Sequence, residues 1–110
     1  MAAILFSRVR SSLDADELVR RIRERAQQFR NVPGLIQKVY GRDPSTGDVC
    51  GIFFFEDEAA LAAYRASELA QSAPGAYEVL EFRGESFEVL FPLFPDKGPP
   101  LDDAPDAGIR

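Results

Sequence analysis

The densest apolar stretch of the chain, residues 52–55 (Ile-Phe-Phe-Phe), has the length and the β-favouring composition of a strand. Because successive strand residues point to opposite faces, Phe53 and Phe55 lie on one face, and Ile52 and Phe54 lie on the other. Both faces therefore require burial. One layer of helices covers only one of them, so the pattern predicts a partner sheet on the other, most simply from a second copy of the chain.

Two stretches carry apolar residues at helical spacing. The first begins at Asp14, which precedes Glu17 by three residues as in a capping box, and it ends at residues 31–34 (Asn-Val-Pro-Gly). The second begins near Glu56 or Asp57 and ends at residues 72–75 (Ser-Ala-Pro-Gly). The expected inward positions are Leu18, Val19, Ile22, Ala26 and Phe29 in the first helix and Ala60, Leu61, Tyr64 and Leu69 in the second. The arginines of the first helix, Arg20, Arg21, Arg23 and Arg25, are interpreted as a solvated face with Glu24 rather than as a nucleic-acid patch.

Strand-like segments separate these helices. Residues 43–48 are dense in turn formers and predict an antiparallel hairpin. Gly84 is a candidate bulge or bend, and residues 86–91 either continue the last strand or form a short extra one. The predicted strands are residues 3–10, 35–43, 49–55 and 77–83. This order is the ferredoxin-like βαββαβ plan, an α+β fold with a four-stranded antiparallel sheet and two helices on one face.

The end of the chain differs in composition from the rest. Five of the eight prolines lie from Pro92 onward, among acidic residues. We therefore expect one domain over residues 1–95 and a mobile tail over residues 96–110. The apolar segment 87–94 is interpreted as an arm that packs on the body or on a partner subunit.

Composition excludes several classes of function. The net charge is −5 and the pI is about 4.7, which argues against binding to duplex DNA or to anionic lipid. The start of the chain is too short for a signal sequence and no stretch is long enough to span a membrane, so neither is expected. The single cysteine allows no internal disulfide, which favours the cytoplasm, and Cys50 is interpreted as a small buried hydrophobic residue.

The chain has no histidine, so histidine-ligated haem, zinc sites built on histidine and Ser-His or Cys-His nucleophiles are excluded. RNA-binding domains share the predicted strand order, but their central-strand signature begins with a basic residue. Here that position holds Asp48, and we reject this interpretation.

Residues 33–40 (Pro-Gly-Leu-Ile-Gln-Lys-Val-Tyr), 51–58 (Gly-Ile-Phe-Phe-Phe-Glu-Asp-Glu) and 63–64 (Ala-Tyr) together resemble the YdhR-like branch of the dimeric α+β barrel superfamily. The resemblance covers residues 3–90 and implies a homodimer whose two sheets face each other as a barrel. This superfamily includes the antibiotic-biosynthesis monooxygenases, which oxidise aromatic polyketide-type substrates without metal or flavin. The sequence departs from the pattern at Gln37 and Tyr40, where such relatives often carry tryptophan.

The resemblance implies a cofactor-independent monooxygenase that acts on an electron-rich aromatic or polyketide-like molecule. Simple alternation places Leu35, Gln37 and Val39 on one face of their strand and Ile36, Lys38, Tyr40 and Arg42 on the other. Lys38 and Tyr40 are the candidate catalytic residues. The positive charge of Lys38 lowers the pKa of a substrate phenol, or Lys38 acts as a base if burial depresses its own pKa. Tyr40 and Tyr64 hydrogen-bond a quinone-like oxygen, and Phe54 supplies an apolar wall. The candidate substrate-binding residues are Arg8, expected across from these on the first strand, together with Arg42, Phe54 and Tyr64.

Each of these residues also has a structural interpretation. Lys38, Tyr40 and Arg42 can extend their charged or polar ends past the sheet edge or lie in a subunit interface, and Tyr64 can be a core residue. The alternative function is accordingly a non-catalytic dimeric module that binds a small ligand or serves a structural role. An enclosed cavity that reaches Lys38 or Tyr40 would favour the enzyme.

Overall fold

A computed structural model describes residues 1–102 as a four-stranded antiparallel sheet with helices on one face. The strand order is β2-β3-β1-β4, so the first and third strands are central. This is the predicted βαββαβ arrangement. The strands are β1 (Ala3–Ser11), β2 (Leu35–Arg42), β3 (Val49–Phe55) and β4 (Val79–Glu88), and the helices are α1 (Ala15–Phe29), α2 (Glu58–Ala66), α3 (Glu68–Gln71) and α4 (Ala73–Ala76).

The two faces of the sheet follow the predicted alternation in its central strands. In β3, Phe53 and Phe55 are almost fully buried beneath the helices, whereas Ile52 and Phe54 are partly exposed on the other side. We call this second side the open face. Antiparallel pairing of β1 with β3 adds Ile4 and Phe6 to the open face, opposite Phe54 and Ile52. Cys50 also lies there and is only partly buried in the single chain, so the expected burial of this residue is incomplete.

The core beneath the helices is built largely from aromatic rings. Phe53 stacks on Phe55 with ring centroids 5.9 Å apart, and Tyr64 of α2 packs on Phe53 at 5.1 Å. Phe29, the last residue of α1, completes the group at 6.0 Å from both Phe53 and Tyr64. Such tilted and offset contacts are the arrangements that ring quadrupoles favour.

Helix α1 begins and ends as predicted. The Asp14 carboxylate accepts a hydrogen bond from the Glu17 backbone N–H at 2.9 Å and so caps the first turn. After Phe29 the chain turns through Gly34, which has a φ of +77° that glycine adopts without strain. A Cβ atom at Gly34 would also lie 2.5 Å from the Ala60 Cβ, so this glycine lets the chain pass close to α2.

The second helical region is broken rather than continuous. Helix α2 ends at Ala66 because Ser67 adopts an extended conformation, with a ψ of 157°. The Ser67 hydroxyl donates to the Tyr64 carbonyl at 2.6 Å and accepts from the Ala70 N–H at 3.3 Å, so one side chain ends α2 and caps α3. The prediction of one helix ending at residues 72–75 is therefore wrong, since Pro74 lies in the first turn of α4.

Simple alternation fails in β2 because the strand contains an irregularity. Leu35 pairs with Phe55, but Gln37 pairs with Phe54, so one extra residue is accommodated between them. Leu35 and Lys38 consequently both lie on the helix side. The prediction that Leu35 shares a face with Gln37 is wrong.

Strand β4 is one continuous strand through Glu88, as the first of the two alternatives for residues 86–91 predicted. Gly84 pairs regularly with Ser7, so the suggested bulge at Gly84 is wrong. The register shift lies instead where Glu81 pairs with Arg10 and Val79 with Ser11.

Beyond β4, Val89 is buried and its N–H donates to the Ala2 carbonyl at 2.9 Å, which attaches the start of the arm to the body. Leu90, Leu93 and Phe94 are each more than half exposed. The boundary at residue 95 and the mobility of the tail stay predictions, and residues 103–110 lie outside the described part. Within residues 1–102, no helix has the length and apolar character needed to cross a membrane.

Candidate active site

A cavity of about 380 Å³ lies between the sheet and the helices. Its floor is formed by alternate residues of all four strands, and its roof by α1, α2 and the segment 70–77. This volume is within the range of small-molecule sites, and the walls are mainly apolar, as such sites usually are. The floor includes Leu5, Ser7, Val9, Lys38, Phe53 and Phe82, and the roof includes Phe29, Tyr64, Ala70, Ala73 and Tyr77.

Lys38, the only lysine in the four described strands, borders this cavity. Its Nζ lies 3.5 Å from the centroid of the Phe29 ring, 4.3 Å from that of Phe53 and 4.4 Å from that of Tyr40. Within residues 1–102, no carboxylate forms an ion pair with this amine and no atom accepts a hydrogen bond from it. Burial, assisted by the positive charge of Arg25, lowers the pKa of Lys38 to about 7.

The tyrosines near Lys38 behave as neutral phenols. Burial raises the pKa of Tyr64 and of Tyr40 to about 12, so both keep their protons at neutral pH. Tyr64 borders the cavity. Tyr40 does not border the cavity; it contacts Lys38, and both residues line a surface groove with Phe29 and Arg30. Both phenols are suited to hydrogen bonding and not to accepting a proton.

Arg25 fixes the roof of the cavity, a role that the sequence interpretation missed. Its Nε donates to the Tyr77 hydroxyl at 3.0 Å and its Nη2 donates to the Leu69 carbonyl at 3.0 Å, so α1 is tied to the segment 69–77. Arg25 follows Leu18 by seven residues, which is two helical turns, and this spacing was the available signal that it faces inward. Of the four arginines, Arg20 fits the solvated interpretation, because it pairs only with Glu17 and Glu24 on the same exposed surface.

The structure brings together some of the predicted site residues and separates others. Lys38 and Tyr64 border the cavity, and Tyr40 contacts Lys38. Arg42 lies two residues beyond Tyr40 at the end of β2, and its side chain is exposed. A cavity therefore reaches Lys38, as the enzyme interpretation requires, but it is partly open to the surface and a ligand-binding module could use it equally well.

Arg8 and Phe54 lie on the open face. Arg8 pairs across the sheet with Cys50, whereas Lys38 pairs with Phe53, and these two residues of β3 point to opposite sides. The expectation that Arg8 lies across from Lys38 is wrong, and Phe54 is no wall of this cavity. Arg8 instead bridges the Asp43 and Asp48 carboxylates at 2.9 Å each. Hydrogen bonds from the Ser45 hydroxyl and from Arg8 lower the pKa of Asp43.

Residues 5–94 match the family described as "putative mono-oxygenase ydhR". The chain belongs to this family. No curated protein matches the chain. Membership of the ydhR family is consistent with the fold and with the cavity beneath the helices.

Solved structures share the fold of this ydhR family member at low sequence identity. SnoaB, a cofactor-independent oxygenase from Streptomyces nogalater, is 15% identical with a TM-score of 0.71, over 84% of this chain and 96% of that one. Rv0793 from Mycobacterium tuberculosis is 14% identical with a TM-score of 0.70, over 86% and 100% of the two chains. A "putative antibiotic biosynthesis monooxygenase" from Deinococcus radiodurans is 17% identical with a TM-score of 0.65, over 81% and 92%.

Proposed function

We propose that this protein is a monooxygenase that oxidises an electron-rich, enolisable aromatic molecule in the cavity beneath its helices and needs no cofactor. The observation that carries the proposal is the Lys38 amine, which borders an apolar cavity and lacks an acceptor among residues 1–102. Family membership supports the reaction class, and the similarity in fold to a cofactor-independent oxygenase supports the lack of a cofactor.

The chemistry requires a base, a dry site and room for dioxygen. Neutral Lys38 removes a proton from the activated carbon of the substrate, and the resulting carbanion reduces O₂. Recombination forms a carbon–oxygen bond, and the peroxide takes a proton from the Lys38 ammonium. Loss of water then breaks the O–O bond, removes the second hydrogen of that carbon and leaves a carbonyl. A CH₂ group and O₂ thus become a C=O group and H₂O, in a four-electron oxidation that consumes one O₂.

The remaining residues position the substrate. The Phe29 and Phe53 rings line the cavity beside Lys38 and suit a flat aromatic molecule. Tyr64 keeps its proton at neutral pH and can donate a hydrogen bond to a phenolate or quinone-like oxygen. Arg25 adds positive charge nearby, which favours the substrate anion.

We also infer that the chain forms a homodimer through its open face. Ile4, Phe6, Ile52 and Phe54 form an apolar surface there, flanked by Val39 and Phe87, which are 47% and 53% exposed. Burial of one such side chain contributes about 1.5–3 kcal/mol, so the group represents several kcal/mol of unused stabilisation.

The single cysteine and the lack of an internal disulfide favour a reducing compartment, the cytoplasm.

The direct test is oxygen consumption with an anthrone as the substrate. We expect turnover to a quinone with uptake of one O₂ per product, and a fall of roughly 10²-fold or more in kcat for Lys38→Met. Lys97→Met, which changes an exposed lysine outside the cavity, is the matched control and should retain full activity. Binding of the anthrone without oxygen uptake would instead support the ligand-binding module.

A further inference from the structure

The chain contains only two lysines, and their surroundings are opposite. Lys38 is held among three aromatic rings beside the cavity, without a carboxylate or hydrogen-bond acceptor in the described part of the chain. Lys97 is exposed beyond β4, with its Nζ 4.9 Å from the Phe94 ring centroid. A primary amine in an apolar cavity is a nucleophile as well as a base.

We propose that Lys38 is a covalent capture site, which forms a reversible imine with an aromatic aldehyde or ketone bound in the cavity. The amine nitrogen attacks the carbonyl carbon, and a carbon–nitrogen bond forms. The carbonyl oxygen leaves as water with the two amine protons, and the imine nitrogen then takes up one proton from solvent. No oxidant or reductant takes part, so the step is independent of the oxygen reaction.

Three features of the site favour this capture. First, burial and Arg25 keep a large share of Lys38 in the neutral, nucleophilic form near pH 7. Second, the product iminium carries a positive charge, and the faces of Phe29, Phe53 and Tyr40 surround the nitrogen that bears it. Third, the apolar cavity limits the water that hydrolyses an imine.

The charged and titratable groups around Lys38 do not compete for its amine. Arg25 of α1 and Arg65 of α2 carry guanidinium groups, which donate hydrogen bonds and have no acceptor atom to offer the amine. Tyr64 and Tyr40 keep their protons below about pH 12. Tyr77 accepts a hydrogen bond from Arg25. Between pH 6 and pH 9 the labelling of Lys38 should therefore follow its own deprotonation.

The site shares its cavity with the proposed oxygenase, so the test is performed without oxygen and with a probe that the oxygenase cannot use. The wild-type protein is incubated anaerobically with 2-naphthaldehyde and sodium cyanoborohydride, which reduces an imine to a stable secondary amine. Peptide mapping by mass spectrometry then locates the adducts at Lys38, Lys97 and the N-terminal amine over time.

We expect labelling of Lys38 at pH 7 to be at least roughly tenfold faster than that of Lys97, because Lys38 borders the cavity that binds the aldehyde and a large share of its amine is neutral near pH 7. An excess of 2-naphthol, which has the same two fused rings but no carbonyl, should slow labelling of Lys38 and leave Lys97 unchanged. Glyoxylate, a small charged aldehyde, should show a much smaller preference for Lys38 than 2-naphthaldehyde does, because it gains nothing from the apolar walls of the cavity.

Equal labelling of both lysines, or adducts only at Lys97 and the N-terminus, would overturn the inference. The primary measurement uses the wild-type chain, so it does not depend on the folding of a variant. Failure here with normal oxygen uptake from an anthrone would disprove the imine alone, whereas labelling without oxygen uptake would disprove the oxygenase alone.

Discussion

At the scale of single residues, the surroundings of Lys38 combine two opposing effects. Removal of the amine from water disfavours its charged form, and the faces of three rings partly compensate for this. The result is a lysine that titrates near neutral pH rather than near pH 10.5. Its charge therefore changes over the range in which a base is useful.

This titration has a consequence for stability. Between pH 7 and pH 9 the unfolded chain keeps the Lys38 proton while the folded chain loses it, so the free energy of unfolding rises with pH. Relative to Lys38→Met, the wild type should gain about 2 kcal/mol over this range, measured by urea denaturation at each pH. Parallel pH profiles for the two proteins would show that Lys38 titrates normally.

Gly34 is the glycine that the fold most clearly requires. Gly34→Ala forces a positive φ on alanine and brings its Cβ to 2.5 Å from the Ala60 Cβ, so we expect a loss of about 2–4 kcal/mol in denaturant unfolding. Gly75→Ala is the matched control, because Gly75 lies in α4 with no atom within 4 Å of the added Cβ. It should be neutral or stabilising by up to ~1 kcal/mol. Equal effects from the two changes would contradict this account.

At the scale of elements, the connection between α2 and β4 depends on contacts from α1. Arg25→Met removes the hydrogen bonds to Leu69 and Tyr77, and we expect a loss of about 1–3 kcal/mol together with faster hydrogen exchange in the segment 69–77. Arg20→Met removes only exposed ion pairs and should leave this exchange unchanged. Unaltered exchange in the Arg25 variant would show that the roof is held by other contacts.

The elements also show how far the sequence alone could go. The order of strands and helices, the Asp14 cap and the two faces of β3 follow from local spacing and were predicted correctly. The break at Ser67 and the extra residue after Leu35 were not, because both depend on contacts made only in the folded chain. Because of that extra residue, Leu35 and Lys38 lie on the same side of the sheet. The separation of Arg8 from Lys38 depends on how the strands pair, which the pattern within one strand does not show.

At the scale of the whole molecule, the two neighbouring phenylalanines of β3 should respond differently to charge. Phe54→Glu places a carboxylate on the open face. We expect this variant to be a folded monomer, whereas we expect the wild type to sediment as a dimer. Phe53→Glu places it in the aromatic core, where Phe53 is 3% exposed, and should unfold the chain at a cost of several kcal/mol.

Gln28→Glu adds the same charge to the exposed surface of α1 and serves as the control, with a dimer expected. Sedimentation velocity with circular dichroism separates the loss of assembly from the loss of fold. A wild-type chain that sediments as a monomer at micromolar concentration would disprove the homodimer.

The alternation within β3 has an evolutionary consequence. Positions 51, 53 and 55 face the helices, whereas positions 50, 52 and 54 face away from them. We expect substitutions at Phe53 to alter which molecules the cavity accepts, and substitutions at Ile52 and Phe54 to alter how copies of the chain meet. We therefore expect descendants of this chain to be able to acquire new ligand preferences without a change in how copies associate, although the two properties are encoded by adjacent codons.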